Sequence, residues 1–193
     1  MENGKRTGEV MGKMLTEYSF HNDEGNAVQG AILNAGDKSG INFLNNEIIG
    51  ADPGLLSYMP NAIGGEKYDF KTRGIGNIPE SEQDAYKYRG MPFEGASGFG
   101  NQDGAMTTFA SARDFGNIGA GYVAGKSGLS WGVARLGFDA LESKQLSKIA
   151  VEGQPSQRAE RVGFGVGSRL FDAKQVDRRW NQVINPWPTG PKY

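Results

Sequence analysis

Residues 119–128 read GAGYVAGKSG, and the meaning of this stretch decides the fold. From Ala120 to Ser127 it fits the permissive phosphate-loop pattern, a small residue, any four residues, then Gly-Lys-Ser. A phosphate loop needs a buried apolar strand before it, whereas residues 107–118, TTFASARDFGNI, are largely polar and charged. No downstream apolar run ends in an Asp that would hold magnesium. We therefore interpret the stretch as a joint between two helices.

The glycines of this stretch have the spacing of a close helix contact. Gly121 and Gly125 are four residues apart, as are Gly128 and Gly132, and each pair predicts a groove where a neighbouring backbone approaches. Gly128 suits the left-handed conformation that ends many helices. The pattern predicts a tightly packed helical hairpin.

The residues after Gly128 have a strong helical period. One predicted face carries Leu129, Val133, Leu136 and Ala140, and the other carries Trp131, Arg135, Phe138 and Glu142. We expect this to be the core helix, with Arg135 and Asp139 one turn apart as a buried ion pair. Residues 156–180 predict one or two further helices, broken near GFGVG.

The residues before the hairpin predict short elements and irregular structure. Apolar spacing of three and four predicts a first helix at residues 10–18, and residues 27–33 predict a short helix stopped by Gly36. Residues 64–104 are rich in glycine and aromatic residues, which predicts irregular loops, a short helix after Pro79 and room for a small hairpin.

The whole pattern predicts a mainly α fold, a compact multi-helix domain with long aromatic-rich loops. With 193 residues the chain is expected to form a single domain over 1–193, with extended termini at 1–8 and 183–193. Lys and Arg total 21 against 22 Asp and Glu, so we expect no stable nucleic-acid complex. The absence of cysteine excludes thiol nucleophiles and disulfides. We expect neither an export signal nor a membrane span, because no apolar run is long enough.

The segment GGEKYDFKTRG at 64–74 concentrates side chains able to do chemistry. Glu66, Asp69, Lys71 and Arg73 alternate with aromatic residues, and an extended strand would place the last three on one side. The Asp-x-Lys spacing is also found in metal-dependent nucleases, where the carboxylate holds magnesium. An exposed charged strand without a function is the alternative interpretation.

Two other places carry candidate residues. His21, the only histidine, lies in a polar stretch. It is either a solvent-exposed or capping residue, or it acts as a general base or as a single metal ligand together with carboxylates. The segment RDFGN at 113–117 supplies Asp114 and Asn117 just before the predicted hairpin, and Asn117 would suit the N-cap of the following helix.

Two of these segments together resemble the polymorphic toxin type 44 family of bacterial secreted toxins. The first segment is similar to a Gly-Gly-x-Trp-Asp-Tyr-Lys motif, with one residue inserted before Tyr68, and residues 115–128 are similar in part to Phe-Gly-Asn-x-x-Tyr-Gly-x-x-Gly. The tyrosine is displaced to Tyr122, and a Gly-Asp-Asp-Pro motif is absent. The resemblance implies a toxin domain attached to a delivery module and neutralised by a cognate immunity protein.

We therefore expect an effector toxin that hydrolyses the bacterial cell envelope, with peptidoglycan as its substrate. Its action would be in a target bacterium, in the periplasm rather than the cytoplasm. The expected catalytic residues are Asp69, Glu66, Lys71 and His21, and the expected substrate-binding residues are Tyr68, Asn117, Asp114 and Arg73. We assign no metal ligand, and the need for a cofactor stays open. The alternatives are a magnesium-dependent nuclease toxin in the cytoplasm and a non-enzymatic module of a secretion or phage particle.

Overall fold

The computed structural model describes residues 12–21, 27–30, 32–74, 79, 86–93 and 107–184, and the prediction of a mainly α fold is confirmed. Short helices fill the first half and three long helices fill the second. The helical elements are α1 (Ser39–Asn42), a π-helix (Phe43–Gly50), α2 (Leu55–Tyr58), a 3-10 turn (Met59–Asn61), α3 (Phe70–Arg73), α4 (Ala112–Lys126), α5 (Trp131–Leu146) and α6 (Gln154–Ile184).

Small sheets cover one end of the helices. The strands are β1 (Lys13–Met14), β2 (Tyr18–His21), β3 (Ala27–Gly30), β4 (Ile32–Leu33), β5 (Arg89–Pro92) and β6 (Thr108–Ser111). Four of them form a sheet in the order β1-β6-β5-β4, in which only the β5–β6 pair is antiparallel. β2 and β3 form a separate antiparallel pair that matches Tyr18 with Gly30.

The two helices predicted near the N-terminus are wrong where the structure describes them. Residues 13–14 and 18–21 are strands, and so are 27–30 and 32–33. In the second stretch, Gly30 and the β-branched Val28 and Ile32 disfavour a helix. Pairing of β1 with the buried β6 decides the outcome.

The predicted aromatic-rich irregular region forms much of the core. Tyr68, Phe70, Tyr86 and Phe93 are all buried in one apolar cluster with the π-helix and α4. β5 pairs antiparallel with β6, as a small hairpin would, although the residues joining them lie outside those described. Residues 80–85, directly after Pro79, lie outside the described residues, and residues 86–87 are helical. Residues 1–8 and 185–193 also lie outside the described residues.

The most buried helix is α4, so the prediction that the helix after Gly128 forms the core is wrong. In α5, Val133 and Leu136 are 53% and 72% exposed, while Phe115, Ile118 and Val123 of α4 are fully buried. The helix packed closely on α4 is α6. A Cβ atom added at Gly121 would lie 1.9 Å from the carbonyl oxygen of Glu160, and one at Gly163 would lie 1.9 Å from that of Ile118.

The glycine contact explains why α6 is one continuous helix. Gly163 and Gly167 face α4, so the GFGVG segment lets two backbones touch instead of breaking the helix. The helix continues through residues 183 and 184, where an extended tail was predicted. Of the second predicted glycine pair, Gly132 has open space beside it.

The phosphate-loop interpretation is excluded by the position of Gly-Lys-Ser. A short buried strand, β6, does precede α4, contrary to expectation, but Lys126 lies at the far end of that helix. A helix C-terminus presents carbonyl oxygens, which repel phosphate. Lys126 instead pairs with Asp52, and Gly128 ends the hairpin's first helix at a φ of 78°, as predicted.

Candidate functional site

A cleft of about 760 Å³ separates α5 from the rest of the helices. Its volume falls within the range usual for ligand sites. One group of lining residues is aliphatic or aromatic and includes Leu55, Leu56, Met59, Val133, Phe138 and Leu141. A second group is polar or charged and includes Asp69, Lys71, Asn117, Glu142, Glu152 and Glu160. We call this space the α5 cleft.

Asp69 is held in the α5 cleft by the aromatic residues on either side of it. The Tyr68 ring stacks on Tyr58 at 5.0 Å between centroids, and the Phe70 ring stacks on Phe43 at 4.6 Å. Both neighbours are buried, so the chain is anchored immediately before and after the carboxyl group. The aromatic residues that flank Asp69 in the sequence therefore fix its position.

The backbone around Asp69 forms a turn followed by α3, so the predicted extended strand is wrong. Gly64 and Gly65 have φ values of 69° and 80°, which glycine adopts without strain. This turn lets the Gly65 amide donate a 2.9 Å hydrogen bond to Asp69 Oδ2. Asp69 is 3% exposed, and its Oδ1 atom has no hydrogen-bond partner in the described part of the chain. Asp69 also lines the α5 cleft, and a buried polar atom left unpaired at such a place calls for an explanation, of which a functional role is one.

The segment Phe115-Gly116-Asn117 of α4 meets the Asp69 segment at the same cleft. Phe115 packs edge-on against Phe70 with 6.3 Å between ring centroids, which brings the two motifs together. Asn117 is buried and lines the cleft, and its Nδ2 atom has no partner among the described residues. Asn117 is inside α4 rather than its N-cap, because Ser111 caps this helix.

Lys71 is the cationic neighbour of Asp69 in the α5 cleft. Burial lowers the pKa of Lys71, while Asp69 opposes that shift and Arg113 adds to it. A second space of about 520 Å³ adjoins the cleft, and Asp69, Lys71, Glu142 and Lys144 line both. We call it the polar pocket. The two groups of the Asp-x-Lys motif thus lie where an apolar space and a charged space meet.

Glu160 of α6 is the residue of this site that the sequence interpretation missed. It is 2% exposed, lines the α5 cleft and accepts a 2.6 Å hydrogen bond from Arg135 Nη1. Burial, and then the neighbouring Glu152, raise the pKa of Glu160 well above its ordinary value, and Arg135 counteracts this only in part. The burial of Glu160 therefore favours its protonated form more than exposure to water would.

Asp69 and Glu160 act on a common neighbour. Tyr58 is buried, and its pKa is raised by that burial and then by Asp69, Tyr68 and Glu160. Tyr58, Asp69 and Glu160 all line the α5 cleft. Glu160 lies on the same face of α6 as Gly163 and Gly167, which contact α4. An acidic residue on this glycine-lined face was the feature of the sequence that could have identified Glu160 as a candidate.

Three predicted site residues, Glu66, Arg73 and Asp114, do not line the α5 cleft. Glu66 is exposed in the turn, and Arg73 pairs with Glu47 at 2.8 Å. Asp114 is buried at the start of α4, where it accepts hydrogen bonds from Thr16, Tyr18 and the Ser111 amide. These contacts give Asp114 a structural role at the start of α4.

His21 lies in β2, where its backbone pairs with Ala27, and its side chain is outside what the structure describes. The described residues contain no group of three or more carboxylate or histidine side chains arranged to hold a metal ion. No helix within the described ranges has the length and apolar character needed to cross a membrane.

Comparison with known proteins identifies no relative of this chain. No protein-family model matches it, and neither the curated proteins nor the solved structures contain a significant match.

Proposed function

We propose that this chain is a hydrolase of the bacterial cell envelope whose reaction uses Asp69 and Glu160. The observation that carries the proposal is the pairing of two unlike carboxyl groups in one cleft. Asp69 has an oxygen without a hydrogen-bond partner among the described residues and lies near the partly buried Lys71, while the pKa of Glu160 is raised by burial and by Glu152. Enzymes that cleave glycosidic bonds combine a carboxylic acid with a carboxylate in this way.

The proposed roles follow from the two environments. The Glu152–Glu160 pair supplies a proton to the oxygen of the leaving group. Asp69 either removes a proton from the attacking water or attacks the reacting carbon itself. Lys71 and the Asn117 amide bind the polar atoms of the substrate, and the apolar wall of the cleft keeps bulk water away from the reacting bond.

The role as a delivered toxin is proposed from the motif resemblance, and with it a cognate immunity protein and a delivery module. Support for the contact between the two motifs comes from the Phe70–Phe115 packing and the shared cleft. One observation favours an envelope substrate over a nucleic acid. The cleft that Asp69 and Glu160 line is largely apolar.

The test directs the chain to the periplasm or the cytoplasm of a test bacterium, as wild type and as Asp69→Asn, Glu160→Gln and Glu66→Gln variants. We expect growth inhibition from the periplasm by wild type and by Glu66→Gln, the exposed control, and its loss in the other two variants. Purified protein should release soluble fragments from isolated envelopes, detected by mass spectrometry.

Killing from the cytoplasm alone would overturn the envelope proposal. If that killing persisted in Asp69→Asn and Glu160→Gln, the proposed hydrolytic chemistry would be overturned as well. Cleavage of purified DNA or RNA that stops on addition of a chelator would establish the nuclease alternative. Unchanged toxicity of folded Asp69→Asn in the periplasm would favour the non-enzymatic module.

A further inference from the structure

The α5 cleft has an apolar arm that hydrolysis of a sugar or peptide bond does not require. We define this arm by Leu55, Leu56, Met59, Val133, Phe138 and Leu141, all of which line the cleft but not the polar pocket. Leu56, Met59 and Val133 are 87%, 52% and 53% exposed, so the arm has an open wall of aliphatic side chains. Exposed apolar surface of this kind is usually retained for binding.

The polar pocket lies at the other side of Asp69 and Lys71 and is predominantly cationic. Cationic side chains there outnumber acidic ones by four to two, namely Lys71, Lys87, Arg113 and Lys144 against Asp69 and Glu142. The Nε atom of Arg113 is buried and has no partner among the described residues. A bound anion would offset the cost of burying the Lys71 ammonium group, which at present lowers the pKa of that residue.

We propose that the ligand of this site is an amphiphile with one aliphatic chain and an anionic head group. The chain occupies the apolar arm, the head group occupies the polar pocket, and the bond to be cleaved lies between them at Asp69. This inference rests on the proposed function, and it narrows the envelope substrate to a lipid-linked molecule instead of the finished polymer. The charge of the pocket and the aliphatic character of the arm each specify one half of the ligand.

The test is a binding series with the full-length Asp69→Asn variant, which removes catalysis from the measurement. Isothermal titration calorimetry is carried out with hexyl, octyl and decyl phosphate, decyl maltoside and inorganic phosphate, each below its micelle concentration. We expect affinity to increase about fourfold for each methylene that enters the arm. At equal chain length, the phosphate should bind about tenfold more tightly than the uncharged maltoside at low salt.

Two substitutions on one helix provide a matched pair. Leu141 lines the apolar arm, whereas Leu136 of the same helix is 72% exposed and does not line the cleft. Leu141→Gln should abolish the dependence on chain length, and Leu136→Gln should leave it unchanged. Circular dichroism verifies that both variants are folded. The chain-length series with Asp69→Asn alone tests the proposal even if a Leu variant fails to fold.

Several results would overturn the inference. Affinity that does not change with chain length would exclude an aliphatic chain in the arm, and equal affinity for phosphate and maltoside would exclude an anionic head group. A dimer that Leu141→Gln dissociates would show that a second copy covers the arm. If affinity depends on the length of the aliphatic chain but wild type hydrolyses nothing, the proposed function fails and the amphiphile site stands. If wild type hydrolyses envelopes but affinity does not depend on chain length, the proposed function stands and the amphiphile site fails.

Discussion

Arg135 of α5 donates a 2.6 Å hydrogen bond to Glu160 of α6, and through this contact the two helices share one ionic cluster. Arg135 also pairs with Asp139 one turn along α5, as the sequence predicted, and more weakly with Glu152 at 3.4 Å. The Glu152 amide donates to Asp139 and completes the cluster. Since much of the apolar surface of α5 is exposed, this cluster is a principal attachment of the helix.

Replacement of Arg135 by Met should destabilise the protein strongly. The substitution removes the donor that hydrogen bonds to the buried Glu160 and the cationic partner of Asp139 and Glu152, and buried acceptors left unpaired cost about 1 to 3 kcal/mol each. Urea denaturation followed by circular dichroism measures the change. The control is Arg158→Met, an exposed position on α6, with an expected change within about 0.5 kcal/mol. Equal small effects of the two variants would show that the cluster does not hold α5.

Glu160→Gln should change how stability depends on pH. Because the pKa of Glu160 is raised in the folded protein, the unfolded chain loses this proton first, at its ordinary value of 4.5. Wild-type stability should therefore decrease as the pH rises above that value, by up to about 1.4 kcal/mol per pH unit from this group alone. Glu160→Gln has no proton to lose, so its stability should decrease less between pH 5 and pH 8.

Urea denaturation of both proteins at several pH values provides the measurement. The free energy of unfolding of wild type minus that of Glu160→Gln should decrease steadily as the pH increases over this interval. A constant difference would show that Glu160 is ionised in the folded protein and would remove the proposed acid.

Gly121→Ala should prevent the close approach of α4 and α6. The new Cβ atom would lie 1.9 Å from the carbonyl oxygen of Glu160, and a backbone atom can move aside only if the two helices separate. We expect a loss of about 3 kcal/mol or more, which thermal denaturation would detect. Gly132→Ala is the matched control, because open space surrounds that position and alanine favours the helix by up to about 1 kcal/mol. A Gly121→Ala protein as stable as wild type would contradict the observed helix crossing.

The sequence predicted the local part of this architecture better than the partners of each element. The structure contains the predicted helix end at Gly128 and the predicted Arg135–Asp139 ion pair. Both features depend only on residues that are close in the sequence. Gly121 and Gly125 were expected to pack within a hairpin, but their partner is α6, some forty residues downstream. Helical periodicity shows which face is small or apolar, and it contains no information about which helix will cover that face.

The candidate site was predictable in part for the same reason. Asp69, Lys71 and Asn117 belong to two motifs with recognisable polar and aromatic residues, and both motifs reach one cleft. Glu160 lies in neither motif, and its properties come from burial beside Glu152 and Arg135, which only the tertiary structure creates. The contacts of Asp114 could not be predicted from its motif, because its carboxyl group accepts a hydrogen bond from Thr16, 98 residues away, as well as from the Ser111 amide.

Asp114→Ala tests the structural role of that residue. The substitution removes the acceptor for Thr16, Tyr18 and the Ser111 amide, all at buried positions. Leaving these donors unpaired should cost about 3 kcal/mol or more. Toxicity per folded molecule should equal that of wild type at a temperature where the variant is folded, and the exposed Asp172→Ala serves as the control for stability. Loss of toxicity from a fully folded Asp114→Ala protein would restore its predicted role in the site.

Asp69→Asn should separate activity from stability. Asparagine retains an oxygen that can accept the Gly65 amide hydrogen bond, and it removes a buried carboxyl group whose Oδ1 atom is unpartnered among the described residues. Polar residues that serve catalysis often lower the stability of the folded protein, so the melting temperature of Asp69→Asn should equal or exceed that of wild type. Activity should decrease by about 10² to 10⁴, the range usual for loss of an acid or base. Calorimetry and release of envelope fragments measure the two effects, with exposed Glu66→Gln expected to change neither. A large decrease in melting temperature on Asp69→Asn would instead show that Asp69 is primarily structural, and the proposed hydrolase would lose its second carboxyl group.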